Sequence, residues 1–72
     1  MTYAEAVSQM TDEEREIPIT KLLKSVGLVH FPHDFTRREV RNEATGEHVG
    51  FYSSGEAIIL FVETRNAIAN AA

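Results

Sequence analysis

The chain has 72 residues, a length that is enough for one small domain near the lower limit for independent folding, and its net charge is −4. It contains no cysteine, and this excludes disulfides, thiolate metal sites and a thiol nucleophile, and favours a reducing, cytoplasmic setting. A hydrophobic fraction of 43% argues against wholesale disorder, while the apolar run 57–62 is far too short to span a bilayer. We therefore expect one folded intracellular domain with no membrane partner.

Residues 1–17 are acidic and carry two competing helix-start signals. Thr2 with Glu5, and Thr11 with Glu14, have the spacing of capping boxes. The segment TDEERE places several carboxylates in a first turn, where the helix dipole favours negative charge. We predict a helix within 3–15, and a mobile acidic arm is an alternative interpretation of residues 1–17.

The second helix is predicted over residues 18–26. Pro18 suits the first turn of a helix, and Gly27 is a natural left-handed stop. Between them an apolar stripe follows helical spacing at Ile19, Leu22, Leu23 and Val26.

Residues 28–35 read as a connecting segment, because Pro32 is unsuited to a regular central strand. Two strands around a turn at NEATGE are predicted next. The first, from Thr36 to Arg41, is mostly polar and therefore typical of an exposed or edge strand. In the second, Val49 and Phe51 share one face, and Gly50 between them indicates a bulge or a close packing contact.

The C-terminal segment has two interpretations. Ser53 and Glu56 have capping-box spacing, and an apolar stripe continues at helical intervals from Ala57 to Ala71. This pattern favours a helix, with Ile58, Ile59 and Val62 widening the core face or forming a contact patch. The alternative is a third strand at 57–62, which would need cover on both faces.

The predicted fold is therefore α+β, with N-terminal helices, a β-hairpin and a C-terminal helix packed on it. N-terminal helices with a three-stranded antiparallel meander are the alternative. We expect a core formed by Ile19, Leu22, Leu23, Val26, Val49, Phe51, Leu60, Phe61 and Ile68.

The sequence holds no specific signal for catalysis, metal binding or a cofactor. His30 and His33 are three residues apart, but their spacing spans Pro32 and no cysteine is available, so they do not indicate a zinc site. The four glycines fit neither a phosphate loop nor a dinucleotide-binding motif. We expect a protein that is not an enzyme and takes no cofactor.

Charge is unevenly distributed, with −4 over residues 1–17, +3 over 18–42 and −3 over 43–72. We expect a small protein-interaction module that modulates, and most simply inhibits, a larger protein complex, of the size that phages and mobile elements encode. Its expected contact residues are acidic, basic and aromatic: Asp12, Glu13, Glu14, Glu16, Arg37, Arg38, Arg41, Tyr3 and Tyr52.

The alternative function is a small DNA- or RNA-binding regulator of winged-helix outline that uses the basic strand 37–41. The acidic balance of the whole chain disfavours it, because phosphate contacts dominate nucleic-acid affinity. The thin core of so short a chain also leaves homodimerisation open.

Overall fold

Three short helices precede a three-stranded antiparallel sheet, and one long helix follows it. The computed structural model describes residues 1–71. Its elements are α1 (Tyr3–Gln9), α2 (Asp12–Glu16), α3 (Ile19–Ser25), β1 (Leu28–Pro32), β2 (Arg38–Asn42), β3 (His48–Tyr52) and α4 (Ser54–Ala71). The predicted α+β class is confirmed. Within residues 1–71, no helix is both long and apolar enough to cross a membrane.

Both N-terminal capping boxes form, so the two start signals open two helices and do not compete for one. The Thr2 hydroxyl accepts from the Glu5 N–H, and the Thr11 hydroxyl accepts from the Glu14 N–H, each at 3.1 Å. Helix α1 packs against α4 and buries Ala6, which places this part of the acidic segment on the core. Whether residues 1–17 move in solution stays a prediction to be measured.

Helix α3 confirms the prediction for residues 18–26 to within one residue at each end. Pro18 is its N-cap, and Gly27 follows its C-cap with a φ of +80°. Leu22 and Leu23 are buried, whereas Ile19 and Val26 are partly buried against the same cluster.

The sheet has the order β1-β2-β3. The two predicted strands are present as β2 and β3, but β1 was not predicted, and the predicted edge position of β2 was wrong. Residues 28–32 form an edge strand and not a connecting segment. Pro32 is tolerated because it is the last residue of that strand. Strand β2 is central and not an edge, and its polar residues fit there because one face of an antiparallel sheet can meet water.

Strand β3 turns the face opposite to the predicted one toward the core. Val49 and Phe51 are 41% and 42% exposed, so assigning them to the core was wrong. Gly50 and Tyr52 face inward, and a Cβ on Gly50 would lie only 3.0 Å from the Tyr52 ring. The ring therefore occupies the space that a side chain at Gly50 would need. The register shifts between Val40 and Arg41 of β2, so both alternatives predicted at Gly50, a bulge and a close packing contact, are found here.

Helix α4 confirms the helical interpretation of the C-terminal segment. Its cap forms as predicted, because the Ser53 hydroxyl accepts from the Glu56 N–H and the Glu56 carboxylate accepts from the Ser53 N–H. Val62, which lies outside the predicted stripe, is fully buried, and Ile58 and Ile59 are partly buried against the core, so these three residues widen the core face. Assigning Ile68 to the core was wrong: it is 53% exposed, in the exposed last turns of the helix.

The core lies between the inner face of the sheet and the helices. Its buried cluster consists of Ala6, Met10, Leu22, Leu23, Leu28, Val40, Phe61 and Val62. Every helix except α2 buries at least one residue, and the sheet contributes through β1 and β2. This one-sided packing leaves the other face of the sheet toward solvent.

Candidate functional site

The outer face of the sheet is the most distinctive surface of the molecule. We define the outer face by the side chains of Val29, Phe31, Glu39, Arg41, His48 and Phe51. Strand register places Phe31, Glu39 and Phe51 in one row across the three strands. Val29, Arg41 and His48 form the next row. Phe31 and Phe51 are 50% and 42% exposed, so two aromatic rings flank a central carboxylate on an open surface.

Glu39 links the charged groups of the outer face. Its Oε2 atom lies 2.7 Å from Nδ1 of His48 and 3.0 Å from Nε of Arg41. The hydrogen bond from Arg41, and then that from His48, lowers the pKa of the Glu39 carboxyl. The lowered pKa favours the ionised form of Glu39, which bonds to both neighbours in the row beside the two rings.

The two exposed rings are themselves held in place by neighbouring side chains. The guanidinium of Arg41 lies 6.0 Å from the centroid of the Phe31 ring, within the range of a cation–π contact. The rings of His33 and His48 lie 4.4 and 5.0 Å from that of Phe51. Each phenylalanine is thus oriented by contacts at its side while much of its surface remains exposed.

Residues 33–37, here named the Phe35 loop, connect β1 to β2 and present a third exposed aromatic ring. Asp34 Oδ1 accepts from the backbone N–H groups of Thr36 and Arg37, at 2.9 and 2.8 Å. These bonds, that from Thr36 first, lower the pKa of the Asp34 carboxyl. Phe35 is fully exposed at the tip of this closed turn. Such a turn restricts the backbone and so reduces the entropy that a contact through Phe35 would cost.

The predicted acidic contacts lie in or beside helix α2, and they are not equivalent. Asp12 pairs with Arg15 at 3.0 Å. Glu14 hydrogen-bonds to Arg65 of α4, and this bond lowers the pKa of its carboxyl. Glu14 therefore has a structural role, whereas Glu13 and Glu16 are exposed. The proposed partner contacts of these residues stay predictions.

The three arginines predicted as contacts do not form one basic strip. Arg41 lies on the outer face, Arg37 pairs with Asp34 in the Phe35 loop, and Arg38 donates to the Ser54 hydroxyl at 3.0 Å. Strand alternation turns Arg38 to the inner side of the sheet.

The two predicted aromatic anchors also differ. Tyr3 is 54% exposed and stays available, while Tyr52 is partly buried against the core cluster. Sequence reasoning missed Phe31, Phe35 and His33 as surface residues because residues 28–35 were interpreted as a connection. The available signal for a strand was the alternation of two sets of residues, Leu28, His30 and Pro32 on one face and Val29 and Phe31 on the other.

Among the residues described, no group of three His, Cys, Asp or Glu side chains is placed to hold a metal ion. The fold and surface define an α+β domain with an open aromatic sheet face. Comparison with protein-family models, curated proteins and solved structures found no match to this chain.

Proposed function

We propose that this chain is a small non-enzymatic protein-interaction module that docks on a larger protein through the outer face and Phe35. The observation that carries the proposal is the exposure of Phe31 and Phe51 on two strands of the sheet and of Phe35 in a closed turn. Contiguous exposed aromatic surface is typical of interaction sites, and aromatic anchors dominate interface energetics.

Charge on the outer face supports a protein partner over a nucleic acid. Glu39 pairs with Arg41 and offsets its positive charge, and the His48 ring hydrogen-bonds to the same carboxylate. The chain as a whole carries −4. A phosphate backbone would meet few unpaired cations on this surface. A protein surface with an apolar centre and a mixed polar rim matches the arrangement better.

The proposed mechanism is occupation of a surface on the partner, with no chemistry of its own. The acidic side chains of α2 are proposed to steer the encounter, because complementary charge raises association rates. Replacement of Asp12, Glu13 and Glu16 by their amides should slow association and flatten its salt dependence. We also propose a cytoplasmic setting, on which the absence of cysteine bears.

The test compares the doubly substituted chain Phe31→Ala/Phe51→Ala with the wild type as baits in the host lysate. Ile68→Ala is the matched control, since Ile68 is an equally exposed apolar residue far along α4. One partner retained by wild type and control, but lost by the double variant, is expected. Binding constants with the purified partner must repeat that order. Equal retention by the double variant contradicts docking through the outer face.

A second function, single-stranded nucleic-acid binding, is favoured by one observation. Exposed aromatic rings on an antiparallel sheet are a surface on which bases stack. Phe31 and Phe51 have this placement, with Arg41 beside one of them. Fluorescence anisotropy with labelled single-stranded DNA and RNA at low salt tests it. Binding that the double variant abolishes would replace the protein-interaction proposal with this one.

A further inference from the structure

A second site lies on the inner side of the sheet, between the Phe35 loop and the start of α4. A cavity of about 170 Å³ is present there. Its walls are basic, hydroxylic and apolar, with one carboxylate: His30, Pro32, Asp34, Phe35, Thr36, Arg37, Arg38 and Ser54. The volume is several times the ~30 Å³ that a water molecule occupies in the liquid. The cavity can therefore hold a small organic ion.

Two nitrogen atoms that belong to cavity-lining residues are buried, out of reach of water, without a hydrogen-bond partner among the described residues. They are Nδ1 of His30 and Nε of Arg38. A buried polar group without a partner is costly, and more so when the group is charged. His30 already uses its other nitrogen, since Nε2 lies 2.8 Å from the Thr20 hydroxyl. Arg38 uses Nη2, which donates to the Ser54 hydroxyl at 3.0 Å.

Arg38 and Ser54 together have the donors that an oxyanion needs. Nε and Nη2 lie on the same edge of a guanidinium, and this edge matches a carboxylate through two parallel hydrogen bonds. The Ser54 hydroxyl now accepts from Nη2, but a hydroxyl can also donate. An entering carboxylate would replace Ser54 as the acceptor for Arg38 and would accept from Ser54 in turn.

We propose that this cavity binds a small monocarboxylate, held by the Ser54 hydroxyl and by the Nε–Nη2 edge of Arg38, which turns toward the cavity when the ligand enters. The site lies on the opposite side of the sheet from the outer face, shares Phe35 with the docking surface proposed above, and does not rest on that proposed function. Arg37 adds a second positive charge and is only loosely held by Asp34, with nitrogen–oxygen distances of 3.3 and 3.4 Å.

A single negative charge fits this cavity better than the two charges of phosphate. Asp34 is part of the wall. Glu56 is a second carboxylate, and its pKa is lowered first by the Ser53 backbone N–H and lastly by the charge of Arg37. These two carboxylates oppose a dianion. Pro32 and Phe35 offer apolar surface for the carbon part of an organic acid.

The test is a titration of the 15N-labelled protein, followed by amide NMR shifts at constant ionic strength. The probes are sodium acetate, sodium benzoate, blocked aspartate (N-acetyl-aspartate amide) and inorganic phosphate. Saturable shifts centred on Thr36, Arg38 and Ser54 are expected with the carboxylates. Tighter binding of blocked aspartate than of acetate and benzoate identifies a protein side chain as the source. The reverse order identifies a free organic acid.

Four variants separate binding at this site from a general charge effect. Arg38→Gln is expected to weaken carboxylate binding about tenfold or more. Arg41→Gln removes the same charge from the opposite face of the same strand and should leave the affinity unchanged. Ser54→Ala should weaken binding severalfold even if Arg38→Gln fails to fold. Glu56→Gln keeps the capping residue type but removes a nearby negative charge, so it should bind severalfold more tightly.

Three results would overturn the proposal. They are shifts that stay linear with carboxylate concentration, phosphate binding more tightly than every carboxylate, and equal losses of affinity in Arg38→Gln and Arg41→Gln.

Discussion

Arg65 of α4 donates a hydrogen bond to the carboxylate of Glu14, which lies 51 residues earlier in the chain. Its other terminal nitrogen donates to the backbone carbonyl of Gln9 at 3.0 Å. Both side chains are largely buried, with 27% and 19% of their surfaces exposed. One arginine thus joins the C-terminal helix to the end of α1 and to α2, and these are the elements that carry the acidic surface.

Replacing Arg65 by Gln should loosen this junction without unfolding the domain. We expect a loss of about 1 kcal/mol in the free energy of unfolding, because the pair is partly reached by solvent and its Coulomb energy is screened. Urea denaturation measures the loss. Hydrogen exchange should show faster opening of residues 3–16 than of α3.

Glu13→Gln is the control for this substitution, since Glu13 is exposed on the same helix as Glu14. It should change stability by no more than about 0.5 kcal/mol. If residues 1–17 are instead a mobile arm, Arg65→Gln will leave both the urea midpoint and the exchange pattern unchanged.

Leu23 and Ile68 were both predicted as core residues, and the structure separates them. Leu23 is fully buried, whereas Ile68 is 53% exposed. Leu23→Ala should therefore cost about 2–5 kcal/mol, a large part of the stability of so small a domain. Ile68→Ala should change stability by about 0.5 kcal/mol or less.

Urea denaturation of the two alanine variants measures both effects. If Leu23→Ala does not fold, Leu23→Met should still fold, with a loss below about 1.5 kcal/mol. A large loss for Ile68→Ala would show that the last turns of α4 are covered in solution.

The helices were predictable because their signals are local. Each predicted cap lies within four residues of the helix that it opens, as in the Ser53–Glu56 pair. Gly27 ends α3 at a positive φ for the same local reason. Two capping boxes in residues 1–17 were harder to interpret, because a single helix and two short helices use the same residues.

The sheet was less predictable because its faces are assigned by distant contacts. Strand β3 has apolar residues on both faces, with Val49 and Phe51 on one and Tyr52 on the other. Only the helices that pack on the Tyr52 side decide between them. The candidate site was affected in the same way, since Phe31 became a surface residue only when residues 28–32 were recognised as a strand.

Gly27 is a position at which backbone conformation alone decides the effect of a substitution. Its φ is +80°, and a Cβ added there would meet nothing within 4 Å. Gly27→Ala should therefore destabilise by about 1–2 kcal/mol through the left-handed backbone and not through a clash. Gly27→Asn should lose less, because asparagine tolerates this conformation. Equal thermal stability of the Ala and Asn variants would contradict the explanation.

His30 should make stability fall as the pH drops below about 6.5. Burial, and then the nearby charge of Arg38, lowers the pKa of this imidazole below its ordinary value of 6.5. The unfolded chain therefore binds more protons over this range than the folded one does. The contribution of neutral His30 to stability is complete above pH 6.5 and is lost as the pH falls toward and through the lowered pKa.

Urea midpoints measured across this range test the contribution of His30. His30→Gln keeps a group that can hydrogen-bond to the Thr20 hydroxyl, and it should flatten the decline that begins below about pH 6.5. Glu14→Gln should leave that decline intact. The bond to Arg65 lowers the pKa of Glu14 from 4.5, so the titration of Glu14 affects stability only in more acid solution. An unchanged slope in His30→Gln would assign the decline to other groups.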